Sequence, residues 1–394
     1  MLAVATPGAV ARELARVGCS AAGVEIMLPK GLFRLVRLEQ VPATAANIIK
    51  QEMLALGGDA VVHWQTVAHG IERTDIVLLG TARQLLRLAE KLHANPFGLP
   101  GTGEALRTVL QNLHAERAPL RCGPYTLPLG VKTYIMGIIN VTPDSFSGDG
   151  LCDLDAVRAQ GERMVAEGAD ILDVGGESTR PGAPPVCLAE ELTRVLPAVA
   201  ALAELGVPVS VDTTKSAVAR AALDAGAAMI NDISGLRFDP QMAALAAEFA
   251  VPVVVMHMQG TPGDMQQAPH YDDMMSEICA SLQQSTEIAE AAGIERNQVI
   301  LDPGFGFGKT PAHNMELLRR LGELRGYGQP LLFAASRKST LGAILGGLPP
   351  EERVEATVAT TALAINNGAD IVRVHDVQAN VHAAKVADAM VRGQ

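Results

Sequence analysis

From Val131 onward the chain alternates between two hydropathy patterns. Short, continuous apolar runs rich in Val and Ile occupy 134–140, 170–174, 208–212, 229–232, 252–257, 299–302, 331–335 and 371–375. Each run is followed by a stretch with apolar residues at helical spacing, as in Leu154, Val157, Met164 and Val165. Apolar runs without polar alternation are expected of parallel strands covered on both faces. Eight strand–helix units fit an α/β chain of (β/α)8 TIM-barrel type, typically about 250 residues long. A doubly wound open sheet is the alternative. The missing glycine-rich dinucleotide fingerprint favours the barrel.

The first part of the chain is less regular. Residues 9–17 predict a helix, and 24–28 and 33–41 predict two strands around a turn at Pro29-Lys30-Gly31. A helix over 45–56 stops at Gly57-Gly58. Residues 60–67 and 75–80 predict another strand pair, followed by helices over 82–93 and 104–114. The result is a small α+β N-terminal domain with mixed strands. His63, His69 and His93 are scattered through it and form no ligand set. A connector rich in Pro and Gly, 118–130, holds a short hairpin over 120–126. The expected domains are 1–118, of no assigned role, and 119–394, the barrel.

Composition narrows the class. Hydrophobic residues at 48% and charged residues at 19% mark a globular chain. Aromatics at 3% mean a core of Ala, Val, Leu and Ile. A net charge of −11 argues against nucleic-acid partners but leaves room for a local basic pocket. Cys19, Cys122, Cys152, Cys187 and Cys279 form no C-x-x-C, which suits reduced thiols in a cytoplasmic protein. No secretory leader or membrane-spanning stretch is evident, so no membrane partner is expected.

The informative chemistry lies where the strands end. In a parallel barrel all carboxyl ends meet on one face. Here they carry Asn140, then Gly175 to Gly182, Asp212 with Thr213-Thr214-Lys215, Asn231-Asp232, Met256-His257, Asp302 with Pro303 to Lys309, Ser336 to Ser339, and Arg373 to Asp376. A lone Asp after a strand is usually a helix cap. Eight polar ends together are costly to bury unless a ligand satisfies them. Asp212, Asn231 and Asp302 suit a ligand with several N–H donors. Arg180, Lys338, Arg373 and His375 suit phosphate. These two sets read as two halves of one pocket.

Two other signals fail. Gly304 to Thr310 looks like a phosphate-binding P-loop, but Pro303 stands where the pattern needs glycine. His257 and His375 lack the spacing of a protein-built zinc site. A magnesium ion held mainly by a diphosphate, with one protein oxygen donor, is compatible with the residues present.

The stretches Gly137 to Phe146, Gly175 to Gly182, Val211 to Lys215, Asn231 to Gly235, Asp302 to Lys309, Ser336 to Lys338 and Arg373 to Asp376 closely resemble the signatures of dihydropteroate synthases, in family order. The resemblance covers the chain from about Gly123 to its end. It implies an enzyme of folate and tetrahydrofolate biosynthesis, a sulfonamide target, and a transferase. The reaction condenses 6-hydroxymethyl-7,8-dihydropterin diphosphate with p-aminobenzoate, giving 7,8-dihydropteroate and diphosphate. It also implies magnesium and a homodimer. By that resemblance Asp302 accepts from the pterin 2-amino group and ring N–H, and Asp212 and Asn231 complete the edge. Met256 and Phe307 form apolar walls, and Lys338 donates to the pterin. Asn140 faces magnesium and the diphosphate, which Arg373 and His375 bind and stabilise as it leaves. Thr179 and Arg180 help form the p-aminobenzoate site, and Ser339 starts a helix that receives its carboxylate. Two alternatives share the pterin-reading residues: a methyltetrahydrofolate-dependent methyltransferase and a pterin-binding barrel without catalysis. The first loop departs from the commoner family order at Ser147-Gly-Asp-Gly150, which leaves Asp149 without an assigned role. The N-terminal domain lies outside the minimal family barrel and lacks the motifs of a fused pyrophosphokinase.

Overall fold

The structure is a computed structural model that describes residues 7–113, 115–141, 153–178 and 182–393. The chain divides into two compact units, Met1–Ala115 and Glu116–Gln394.

The first unit holds a sheet of β1 (Phe33–Pro42), β2 (Asp59–Val62) and β3 (Arg73–Thr81) in the order β1-β3-β2. Both pairings are antiparallel, so the sheet is not mixed. Helices Ala43–Ala55 and Ala82–Leu92 cover one face and bury Ile49, Met53, Ile76, Leu78, Leu85 and Leu88. Thr81 and Gln84 form a capping box that starts the second of these helices. The strand expected at 24–28 is instead part of the helix Ala21–Gly31. Ser20 caps that helix by accepting from the Gly23 amide at 3.2 Å, and Pro29 lies inside it, not in a turn. Of 60–67 only the first residues are strand; Trp64–Thr66 is a 3-10 turn.

The second unit opens with a hairpin, β4 (Leu120–Cys122) and β5 (Tyr125–Leu127). Eight parallel strands follow: β6 (Tyr134–Asn140), β7 (Ile171–Gly175), β8 (Val209–Asp212), β9 (Met229–Asp232), β10 (Val253–Met256), β11 (Val299–Asp302), β12 (Leu332–Phe333) and β13 (Ile371–Val374). Apart from β11 and β12, each pairs with its neighbour in sequence, and β13 pairs back onto β6. β12 is shorter than the 331–335 expected. A parallel bridge from Leu301 to Leu331 joins it to β11 and closes the barrel. Tyr134, Met136, Ile171, Met229, Val254, Ile300, Leu332 and Ile371 fill the lower barrel and pack with Leu120, Cys122 and Leu127 of the hairpin. Among the described residues no helix is long and apolar enough to cross a membrane.

Candidate active site

Strand register decides which side chains enter the barrel. Ile138, Asp173 and Ser210 are neighbours across β6, β7 and β8; Gly175, Asp212 and Asn231 are neighbours one layer higher. Val254 pairs with Asn231 and Ile300, and Met256 pairs with Asp302. Side chains alternate along a strand. The layer above the apolar floor therefore receives Asp173, Ser210 and Arg373, and the layer above that receives Asn140, Asp212, Asn231, Met256 and Asp302. Asp232 has the opposite parity. It accepts from the Ser234 amide at 2.8 Å and the Leu236 amide at 2.9 Å, so it serves the fold rather than the pocket.

Arg373 lies among the acids. Its Nε donates to Asp173 Oδ2 and its Nη2 to Asp212 Oδ2, each at 2.6 Å. Asn231 Nδ2 donates to the same Asp173 oxygen at 3.1 Å. The expected division into an acceptor half and a cationic half is therefore wrong; one guanidinium ties two carboxylates together. A guanidinium has five N–H donors, of which these bonds use two. Burial works against the charge of Arg373, but Asp173 and Asp212 outweigh it and raise its pKa. Asp212 is pushed up to about 7, by burial first and against the pull of Arg373. Asp173 Oδ1 and Ser210 Oγ, across the β7–β8 pairing, are buried without a hydrogen-bond partner. Such atoms are the polar demand a bound ligand can meet.

Asp302 sits on the other side of the pocket, 5% exposed. Its Oδ1 accepts from the Gly304 amide at 2.7 Å. Burial raises its pKa, opposed by Lys338 and the Gly304 amide. Lys338 donates to the Phe305 carbonyl, and its Nζ lies 4.5 Å from the centre of the Phe307 ring. Burial lowers the Lys338 pKa to about 8 against the attraction of Asp302. Met256, Phe307, Ile233, Met258 and Met265 form an apolar cluster beside these groups.

Two cavities open near these residues. One, of about 550 Å³, is lined by Asn140, Arg337, His375, Asp376 and the start of the helix Val377–Arg392. His375 Nδ1 lies 2.9 Å from Ser336 Oγ, and Arg337 makes a two-point pair with Asp376 at 2.9 and 2.5 Å. The other, of about 430 Å³, is lined by Asp212, Thr213, Lys215, Glu177, Ile233, Phe238 and Pro262. Lys215 is paired there with Glu177 and Glu191, both at 2.5 Å. Ser339 is exposed at the start of the short helix Ser339–Ile344, just after Lys338. Thr179, Arg180 and Asp149 lie outside the described residues.

Asp173 lay outside the strand-end pattern, and Lys309 stood within it without a role. Asp173 is a charge inside an apolar strand, two residues before Gly175, and that was its signal. Among the described residues no group of three or more His, Cys, Asp or Glu could hold a metal ion. Asn140 offers one amide oxygen at a cavity, a donor set that fits a magnesium ion carried mainly by its anionic substrate.

A closed parallel barrel whose carboxyl end gathers carboxylates, an amide and cations has the architecture of a barrel enzyme. Residues 136–375 match the family model described as pterin binding enzyme. The chain is 49% identical over 276 residues to a dihydropteroate synthase of Synechocystis sp., a match covering 70% of this chain and 96% of that protein. It is 44% identical over 382 residues to a probable bifunctional folylpolyglutamate synthase/dihydropteroate synthase of Halobacterium salinarum, covering 96% of this chain. The chain spans only 46% of that relative's length. A crystal structure of Yersinia pestis dihydropteroate synthase with a sulfonamide drug complex matches with a TM-score of 0.67 and 46% identity, covering 70% of this chain and 100% of that one. The chain belongs to the pterin-binding enzymes and, within them, to the dihydropteroate synthase family.

Proposed function

We propose that the barrel unit catalyses the condensation of 6-hydroxymethyl-7,8-dihydropterin diphosphate with p-aminobenzoate in the cytoplasm. The observation that carries this reading is the inward row of Asp212, Asn231 and Asp302 with Lys338 and Arg373 among them. Asp302 accepts from the pterin 2-amino group and ring N–H, a two-point match to a carboxylate. Asp212 and Asn231 complete that edge, and Met256 and Phe307 flank the ring. Lys338 donates to the pterin.

In the reaction the exocyclic C–O bond breaks, and its electron pair leaves with the diphosphate. The carbon becomes cationic. The lone pair of the aminobenzoate nitrogen forms the new C–N bond, and that nitrogen then loses a proton. Asp173 and Asp212 hold the Arg373 guanidinium in place. Arg373 and His375 receive the departing anion. Asn140 would hold magnesium, which when bound neutralises diphosphate charge. Thr179, Arg180 and Ser339 serve the aminobenzoate. The same reading takes the protein to be a homodimer, which sedimentation of the purified chain tests.

The deciding assay is steady-state diphosphate release by the purified protein. Release should require both p-aminobenzoate and magnesium, with one 7,8-dihydropteroate formed per diphosphate. Diphosphate release independent of p-aminobenzoate, or methyl transfer without any release, would overturn the reading.

A further inference from the structure

The glycine-rich turn after β11 fails as a nucleotide site, yet its lysine lies deeply buried beside the pocket. Lys309 is 2% exposed. Its Nζ is 2.8 Å from His257 Nδ1 and donates to the carbonyls of Gly304 at 3.0 Å and Phe307 at 3.1 Å. An ammonium has three donors, and these acceptors use all three. Burial lowers the Lys309 pKa to about 7 against the attraction of Asp302; in its protonated form the ammonium faces Nδ1 as the acceptor, which puts the His257 proton on Nε2. Burial first, then Lys309, keeps that ring neutral.

The turn gripped by Lys309 places two groups of the pocket. The Gly304 amide donates to Asp302, while the Phe305 carbonyl and the Phe307 ring hold Lys338. Gly304 and Gly306 have φ of +71° and +84°. A Cβ at Gly304 would stand 1.9 Å from the His257 carbonyl oxygen, and one at Gly306 would stand 2.8 Å from Lys338 Cδ. The backbone thus passes close between the end of β10 and Lys338 in left-handed conformations that glycine adopts freely and a side chain could not. Asn314 accepts from the Gly306 amide at 2.8 Å, and the Tyr271 hydroxyl donates to the Gly308 carbonyl at 2.8 Å. Those neutral contacts hold the outer part of the turn, and Lys309 holds its inner part.

We propose that Lys309 is a positioning residue for substrate recognition. Its ammonium, seated on His257 Nδ1 and the Gly304 and Phe307 carbonyls, fixes the turn that aims Asp302 and Lys338 at the pterin. This rests on the reading of Asp302 and Lys338 as pterin contacts. Lys309 itself touches no substrate.

The test compares Lys309→Met, His257→Leu and His257→Asn in the full chain, with Asp302→Asn as the control. Calorimetry gives pterin affinity, and steady-state kinetics separates KM from kcat. Lys309→Met should weaken pterin binding and raise the pterin-substrate KM at least about tenfold, with kcat at saturation within about threefold and the p-aminobenzoate KM unchanged. His257→Leu should move the same way. His257→Asn restores an acceptor near the Nδ1 position and should recover affinity to within about threefold of the native protein. Unchanged pterin affinity in Asp302→Asn would defeat the pterin reading itself. Loss in Asp302→Asn with pterin binding in Lys309→Met within about twofold of native would overturn the Lys309 proposal alone. So would a lowered Tm in Lys309→Met with the pterin KM unchanged. If Lys309→Met does not fold, the histidine pair decides: equal affinity in His257→Leu and His257→Asn overturns the proposal.

Discussion

Replacing Asp302 by asparagine changes one atom and one charge, so it tests the pterin reading with little change of shape. The residue is buried, and Oδ1 is committed to the Gly304 amide at 2.7 Å. An asparagine oxygen can keep that bond. The amide nitrogen would then face a pterin donor where a carboxylate oxygen had accepted. One charge-assisted bond is lost, and the partner donor stays buried and unpaired. A hydrogen bond to a charged group contributes about 1.5–3 kcal/mol, and leaving its partner buried adds to the loss. The expected loss is about 3 kcal/mol, or about two orders of magnitude in Kd. Calorimetric titration with a pterin at neutral pH measures it, with p-aminobenzoate as the comparison ligand. Burial raises the Asp302 pKa, so acid converts this acceptor into a donor. Wild-type pterin affinity should therefore fall as pH is lowered, and the Asp302→Asn variant should lose that part of the dependence. Near-native pterin affinity in the variant would rule out Asp302 as the pterin acceptor.

Asp212 should reveal itself in stability. Its folded pKa of about 7 lies above the ordinary carboxylate value of about 3.9. Its contribution is therefore fully present below the unfolded pKa and lost as pH rises through the folded one. Urea unfolding at about pH 5 and about pH 7.5 should show Asp212→Asn gaining on wild type at the higher pH; a gap independent of pH would count against it. Gly304→Ala forces a left-handed φ on a side chain that meets the His257 carbonyl, and should cost about 2–5 kcal/mol by urea unfolding. A cost below about 0.5 kcal/mol would mean the turn can relax. A truncated chain beginning at Glu116 should fold and keep the transferase activity, because every proposed site residue lies in the second unit. A folded but inactive truncation would give the first unit a part in the site.

Most of the barrel was legible because its strands are apolar runs of the right length and its helices repeat regularly. The strand ends were legible because polar residues interrupt those runs. Asp173 was less legible because it sits inside its strand and not at the end, although alternation admits the residue two places before the end as well. Ion pairing was not legible at all: Arg373 and Asp173 are brought together only when β13 closes the barrel onto β6. Lys309 stood in the strand-end loop without a role, because its partner His257 lies on another strand's end. In the first unit Val24, Ile26 and Leu28 alternate like a strand, and the capping Ser20 was the contrary signal.

In the proposed reaction this pocket breaks the carbon–oxygen bond of a pterin diphosphate and hands the carbon to an amine. The most direct measurement follows an ¹⁸O label placed in the oxygen bridging the exocyclic carbon and the first phosphorus. Mass spectrometry of the products after turnover with p-aminobenzoate should find the label wholly in the diphosphate and 7,8-dihydropteroate as the pterin product. Label retained in 6-hydroxymethyl-7,8-dihydropterin would mean that the phosphorus, not the carbon, is attacked, and would contradict the proposed reaction.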